Sequence, residues 1–413
     1  MSTGIHNDAV RDGLGPWGPR DPGETPPSRP WGATPGTAGP ASGLPPAGPA
    51  AAAPPAPAPA RLRLGWSGTH GLTGLSVLNL LLKIATLGIY GFWGRTEIRR
   101  RVWSAIRLDG EPLEYTGHGR ELLLGFLVVF GIVMLPTIAV TLAATLFAGP
   151  AVGGAVQVAT YIVFALLYGI GTYRAQRYRL SRTRWRGIRM RLAGSSWTYG
   201  WTYLWTLALL PLTLGWIAPW RTTLLQRLLT RDTSFGDRPF RFTASSGPLY
   251  ARYTILWLGT AMIAAGALAV IGRQAMALTQ GGRLAPLAEA DKMRLGVTVV
   301  VTLAIAYLLY GVVAAWYRAK VINHFAAHTH FETARLVGTA SAAGLVWLAV
   351  SNALIVIGTV GILAPVAQAR ATRYLVDHLT IAGDIDLAAI RQAPDDGETR
   401  GEGLAQAFDI DAF

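Results

Sequence analysis

Three histidines and a glutamate within nine residues form the cluster best able to hold a metal: His324, His328, His330 and Glu332. His324 and His328 are four residues apart, so on a helix their imidazoles would share one face and could bind a divalent cation. A third ordered ligand is missing from this spacing, and isolated histidine pairs are usually surface residues. We therefore expect no metal and no cofactor at this cluster.

Enzyme motifs are absent from the sequence. There is no Gly-rich loop ending in Lys, no Gly-x-Ser-x-Gly turn and no His-Glu-x-x-His. The chain has no cysteine, which excludes thiolate catalysis, disulfides and cysteine-ligated metals. We predict that the protein has no catalytic residues and is not an enzyme.

Polar side chains inside apolar runs form a second candidate site. Asn79 and Lys83 lie one helical turn apart in the run Leu75–Tyr90, and Asn352 holds the position of Asn79 in a later run. An amide or amine facing hydrocarbon without a partner is costly, so these groups should face protein or a wet cavity. The alternative is that Lys83 extends its ammonium to the lipid headgroups from a shallow helix.

The run that carries Asn79 ends in a motif that the chain contains three times. Thr86-Leu87-Gly88-Ile89 recurs as Thr213-Leu214-Gly215-Trp216 and as Thr359-Val360-Gly361-Ile362. A basic helix is predicted after each copy, closed by a glycine near Gly110, Gly236 and Gly383. This regular spacing predicts three copies of one structural unit.

An arginine follows each motif threonine by fourteen residues, at Arg100, Arg227 and Arg373. Arginine beside an apolar run usually sets topology, and near headgroups it attracts anionic lipid by about 1 kcal/mol. We interpret the basic helices as membrane anchors, with a specific anion or substrate site as the alternative. The expected partners are anionic membrane lipids and not nucleic acid, whereas protein partners cannot be predicted.

Composition indicates a membrane protein, because 51% of the residues are hydrophobic and 15% are charged, with a mean hydropathy of +0.34. A helix needs roughly 20 apolar residues to cross a bilayer. Four uncharged runs reach this length: Leu122–Phe147, Ala151–Tyr173, Tyr253–Gly272 and Leu295–Tyr317.

The distribution of Arg and Lys decides whether the three motif runs also cross. If they cross, 20 basic residues near the runs lie on one side and 11 on the other; if they enter and return, the split is 27 to 4. Basic residues are enriched in cytoplasmic loops, which favours the second arrangement. We predict an all-α integral membrane protein, a helical bundle of two spanning hairpins with three repeated short or re-entrant hydrophobic segments. It has four spans, or seven if every motif run crosses, and both termini are cytoplasmic.

The chain order then divides into seven parts. Residues 1–60 hold 15 of the 25 prolines, which predicts a disordered tail rich in Pro, Ala and Gly. The remaining parts are repeat 1 (61–120), membrane hairpin 1 (121–173), repeat 2 (174–250), membrane hairpin 2 (251–317), repeat 3 (318–390) and a polar acidic tail (391–413).

The first motif copy resembles the YjgN-like family of bacterial inner-membrane proteins of unknown function. The resemblance rests on Asn79, Leu81-Leu82, Thr86-Leu87-Gly88-Ile89-Tyr90, Trp93 and Arg100, and it extends over roughly Arg61 to Ile390. Phe92 departs from the family pattern, which has Pro there, and Val366 stands in place of Trp in the third copy. The resemblance implies an inner-membrane location and no particular chemistry.

Function is predicted from the interrupted segments. Broken hydrophobic segments at matching positions of a repeat are typical of transporters, so transport or conduction of a small solute is the first hypothesis. A non-catalytic membrane scaffold or anionic-lipid-binding protein is the alternative, since membrane-inserted segments with arginine-rich helices would suffice for it.

Overall fold

The computed structural model of the protein describes residues 62–277 and 288–392. The predicted tail at 1–60 and nearly all of the predicted tail at 391–413 lie outside these residues. The helices are α1 Leu72–Ala85, α2 Gly91–Ala105, α3 Gly119–Val129, α4 Leu135–Phe147, α5 Gly149–Ser181, α6 Ser196–Leu212, α7 Ala218–Asp232, α8 Gly247–Ala277, α9 Glu289–Ala327, α10 Ala342–Gly358 and α11 Ala364–Asp377.

Short antiparallel strands alternate with the helices. They are β1 Leu64–Trp66, β2 Ile106–Leu108, β3 Glu111–Pro112, β4 Glu114–Tyr115, β5 Thr183–Trp185, β6 Ile188–Leu192, β7 Thr233–Phe235, β8 Arg238–Phe242, β9 Thr329–Phe331, β10 Ala334–Gly338 and β11 Leu379–Ala382. β1 to β3 form one sheet, β4 to β11 form a second sheet in sequence order, and β1 also lies against β11. We call this arrangement of β1 to β11 the strand ring.

The predominance of helix agrees with the predicted fold class, while the strand ring is an addition that the sequence analysis did not predict. Tight turns connect its strands: Asp109 and Gly110 have φ of 54° and 82°, and Arg186 and Gly187 have 50° and 76°. Two consecutive positive φ values characterise the two-residue hairpin turns that match strand twist.

The glycines predicted to close the basic helices therefore have another role. α2, α7 and α11 end at Ala105, Asp232 and Asp377, several residues before the glycines. A strand follows each helix, and the glycine lies in the turn after that strand. The prediction that Gly110, Gly236 and Gly383 end helices is wrong, because the chain turns at them with positive φ between or after strands.

Four helical segments within the described residues are long and apolar enough to cross a membrane, as predicted. They are Gly119–Phe147, which is continuous through a π-helical stretch at Phe130–Met134, and Gly149–Ser181, Gly247–Ala277 and Glu289–Ala327. α4 packs on α5, where the hydroxyls of Thr141 and Thr160 are hydrogen-bonded at 2.9 Å. α8 packs on α9, with the rings of Tyr253 and Tyr317 5.4 Å apart.

The described helices form five pairs, and every pair connects to the strand ring in the same way. The pairs α1–α2, α6–α7 and α10–α11 are short, whereas α3/α4–α5 and α8–α9 are long. Each of the five leaves from one strand of the ring and returns to another strand of the ring. All described strands therefore lie at the same end of the long helices.

The repeated motif forms the turn inside each short helix pair. In the first copy, the N–H of Gly88 donates to the carbonyl of Lys83 at 2.7 Å, which ends α1 in a Schellman-type turn. The hydroxyl of Thr86 donates to the carbonyl of Leu82 at 2.7 Å and accepts the N–H of Tyr90 at 2.9 Å, so it joins α1 to the start of α2. The same bonds occur around Thr213 and Thr359.

Replacing Gly361 with Ala should lower the free energy of unfolding by about 1 kcal/mol, because an L side chain disfavours its φ of +83°. Gly358→Ala is the matched control, since an added Cβ has open space at both positions and Gly358 ends α10 in helical geometry. Thermal unfolding followed by tryptophan emission would compare them. Equal unfolding temperatures for the two variants would show that the turn is unstrained.

Candidate functional site

Asn79 and Asn352 tie the two helices of a motif pair together. The Nδ2 of Asn79 donates to the carbonyl of Gly94 at 3.4 Å, and the Nδ2 of Asn352 donates to the carbonyl of Ala367 at 3.0 Å. A Cβ at Gly94 would lie only 3.1 Å from the Asn79 carboxamide, so α1 and α2 are closest there. Both asparagines are thus part of the packing between helices.

The oxygen atom of each carboxamide has no hydrogen-bond partner among the described residues. The Oδ1 atoms of Asn79 and Asn352 are buried and accept no hydrogen bond from the described residues. A buried acceptor left unpaired is costly, so two of them at equivalent positions mark places where a donor would be stabilised.

Lys83 is not brought into the same environment as Asn79. Asn79 is 9% exposed, whereas Lys83 is exposed near the end of α1. The methylenes of Lys83 run beside Gly91 at the start of α2, and its ammonium has no hydrogen bond or ion pair with a described residue. This position suits a side chain that extends along the helix pair toward a polar layer.

The three arginines at the shared motif position make separate local contacts. Arg100 contacts Glu97 at 3.1 Å and Arg373 contacts Asp377 at 3.2 Å, each on its own helix. Arg227 donates to the carbonyl of Ala244 at 2.9 Å, and Ala244 follows β7 and β8 in the chain. The described contacts do not join these guanidinium groups in one site.

Arg221 is a candidate that the sequence analysis did not select. It lies fifteen residues beyond Thr206, which is the place that Gly94 and Ala367 hold in the other two copies. Its guanidinium stacks 4.5 Å from the ring centre of Tyr203, and its Nε and Nη2 are buried without a hydrogen-bond partner among the described residues. Aligning the three motifs would have revealed this substitution of a cation for a small residue.

The histidines of the cluster make hydrogen-bond contacts at the ends of helices and strands. His324 has its Nε2 2.9 Å from the carbonyl of Ser245, and His328 has its Nδ1 2.8 Å from the carbonyl of His324. His378 repeats the latter contact with the carbonyl of Tyr374 at 2.8 Å, so His328 and His378 both cap the end of a helix. His330 lies on β9, where its Nε2 is 3.4 Å from the hydroxyl of Thr243.

The described residues contain no group of three or more His, Cys, Asp or Glu side chains that could hold a metal ion. Glu332 instead pairs with Arg238 across neighbouring hairpins, with 3.4 Å between Nε and Oε1. The expectation of no bound metal stays a prediction.

Side chains of the strand ring line a partly open apolar cavity of about 230 Å³. Aromatic and aliphatic side chains line it, among them Trp185, Phe235, Phe240 and Phe331. Outside the ring, Arg186 binds Glu111 at 2.8 Å and so joins two hairpins, and this hydrogen bond lowers the pKa of the Glu111 carboxyl. The cavity was missed because the strands that form it were not predicted.

Comparison with known proteins gives a family and no activity. The family described as "bacterial protein of unknown function (DUF898)" matches residues 61–407, so the chain belongs to this family. It is the family that the first motif copy resembles, and that prediction is confirmed. Neither a curated protein nor a solved structure matches the chain.

Replacing Lys83 with Met should leave the unfolding temperature unchanged, because the ammonium has no partner among the described residues and Met keeps most of the stem. Asn79→Leu is the comparison, and it should cost about 1 kcal/mol through loss of the bond to Gly94. Thermal unfolding and membrane insertion would be measured for both. If a gene-deletion phenotype is restored by the wild type but not by a normally folded Lys83→Met variant, Lys83 belongs to a functional site.

Proposed function

We propose that the protein is a non-catalytic, multi-pass protein of the bacterial inner membrane that binds anionic lipid headgroups around a cytoplasmic strand ring. The observation that carries this proposal is that all five helix pairs begin and end at the ring. The arginines of the basic helices and hairpins therefore gather at one end of the four long helices. Membership of a bacterial family with four apolar helices is the established part of this description.

Backbone contacts support a four-span topology with three re-entrant helix pairs. Arg63 precedes α1 and Asp109 follows α2, yet the N–H of Asp109 donates to the carbonyl of Arg63 at 2.7 Å. The chain segments on either side of α1–α2 are thus paired strands, which cannot lie on opposite faces of a bilayer. β6–β7 and β10–β11 give the same argument for the other two pairs.

The turns of the motif pairs support insertion into hydrocarbon. Leu87, Leu214 and Val360 stand at the tips of the three turns, and they are 95%, 76% and 91% exposed. Apolar side chains at the tip of a turn are unfavourable in water but favourable in lipid. We infer that each motif pair enters the membrane from the cytoplasmic face and returns there.

Charge supports lipid headgroups as the ligand. In the re-entrant arrangement, 27 of the basic residues near the hydrophobic runs lie on the ring side and 4 lie on the far side. Several ring-side guanidinium groups are well exposed, including those of Arg100 and Arg373. Exposed arginines next to apolar segments attract anionic lipids and set orientation, and they require no specific catalytic geometry.

Conduction of a small neutral solute along the motif helices is a second candidate. It is favoured by the unpaired buried Oδ1 atoms of Asn79 and Asn352. Against it, α5 packs mainly with α4 and α6, and α9 packs mainly with α8 and α10. Each long hairpin thus associates with its own motif helix, which does not favour a shared central path through one chain.

Single-cysteine labelling tests the topology in a chain that has no native cysteine. Arg63→Cys and Arg107→Cys should react with an impermeant maleimide from the cytoplasmic side only. Ala148→Cys, in the turn between α4 and α5, should react from the other side only. Labelling of Arg63→Cys and Arg107→Cys from opposite sides would instead establish that α1 crosses the membrane.

Native mass spectrometry of the purified protein with added phosphatidylglycerol or phosphatidylcholine tests the lipid proposal. Arg100→Gln/Arg373→Gln should weaken phosphatidylglycerol binding by about fivefold per arginine, since each contributes about 1 kcal/mol near the headgroups. Phosphatidylcholine binding should not change.

Arg273→Gln/Arg294→Gln removes the same charge from exposed positions at the far ends of α8 and α9, and it serves as the matched control. Equal phosphatidylglycerol binding by the two double variants would contradict a headgroup site at the ring.

A further inference from the structure

The apolar cavity inside the strand ring is larger than ordinary packing leaves in a protein interior. Interiors are packed about as densely as organic crystals, with few voids larger than a water molecule. The ring cavity measures about 230 Å³, and almost all of its surface is apolar. A dry cavity of about 150 Å³ lined by Leu, Ile and Phe can bind benzene, so the ring cavity has room for a larger hydrocarbon.

The lining is contributed by hairpins from the whole ring. Each of the five strands that follow a helix directs at least one large apolar residue to this core, including Leu108, Trp185, Phe235, Phe331 and Ile381. Thr183 and Arg335 also line the cavity, but almost none of the lining surface is polar. A polar ligand would leave its own hydrogen bonds unpaired in such a lining, whereas a hydrocarbon would gain dispersion contacts.

A segment after β11 covers part of the cavity. Ile385 and Leu387 line it, and the segment is held by two bonds between Asp237 and Arg391 of 2.9 and 3.1 Å. The N–H of Arg189 also donates to the Oε1 of Gln392 at 2.8 Å. These polar contacts and the burial of Ile385 in the core hold the segment over the cavity.

We propose that the strand ring binds a single unbranched hydrocarbon chain, the tail of an amphiphile. The ring lies next to the apolar helices, where such tails are the abundant apolar molecules. The cavity volume suits one chain of medium length and excludes a complete two-chain lipid. This site is separate from the headgroup sites on the basic helices, because its lining carries almost no polar surface.

Tritiated decanoate tests the cavity in protein purified in digitonin, a steroid detergent without a linear alkyl chain. Equilibrium binding should show one saturable site. Leu379→Trp places a bulkier side chain in the space that the decanoate chain would occupy, so it should weaken binding by about tenfold or more.

Thr380→Trp introduces the same side chain on the outer face of β11 and should bind decanoate like the wild type. Leu336→Phe, a smaller filling change on β10, provides a second variant if Leu379→Trp fails to fold. Unchanged unfolding temperatures with lost binding would support the cavity. Non-saturable uptake, or equal binding by Leu379→Trp and Thr380→Trp, would overturn it.

Two competition experiments distinguish whether the bound hydrocarbon belongs to a free fatty acid or to a membrane lipid. Displacement by unlabelled decanoate but not by decanoyl lysophosphatidylglycerol would identify a free fatty acid. Displacement by both would identify a membrane lipid tail as an occupant too. Arg100→Gln/Arg373→Gln should bind decanoate normally, so failure of the headgroup proposal and failure of this one are separable.

Discussion

Backbone hydrogen bonding between the short strands is the interaction on which the described structure depends. The four long helices bury little of their surface within the chain, and the most apolar windows of two of them bury none. Their relative order is fixed where they meet the strand ring, because each helix pair begins and ends in it. Strands of two to five residues have little stability alone, but pairing each with one or two neighbours satisfies many of their backbone groups and protects the edges that are paired.

In the proposed re-entrant topology, the membrane imposes the second constraint. A helix entering hydrocarbon must satisfy its terminal carbonyl groups internally, since no water is available there. The motif does this with few atoms: the glycine N–H reaches back to an α1, α6 or α10 carbonyl, and the threonine hydroxyl bonds both helices. The residue between them, Leu87, Leu214 or Val360, is then free to be apolar. A turn built this way can lie in lipid without exposed polar backbone.

The sequence predicted those parts of the fold that depend on long periodic signals. Twenty-residue apolar runs identified the four long helices, and the three copies of one sequence motif identified the turns. The strands could not be found in this way, because Ile188-Arg189-Met190-Arg191-Leu192 is too short and too basic to differ from a charged loop. The candidate site was only partly predictable. The position of Asn79 on an apolar face indicated burial, whereas the bond of His328 to the carbonyl of His324 depends on where α9 ends.

The alternation of apolar and basic side chains along each strand explains how one ring can present two different surfaces. Side chains at successive strand positions point to opposite faces, so apolar residues at every second position line the interior while arginines occupy the outside. In β6, Ile188 and Met190 pack on the core, and Arg189 and Arg191 fall between them. An outer surface suited to anionic headgroups and an inner cavity suited to a hydrocarbon chain therefore arise from alternating residues of the same short strands. Amphiphiles combine these two chemistries in one molecule, so under the two proposals the ring binds lipid heads on its outside and a lipid tail within.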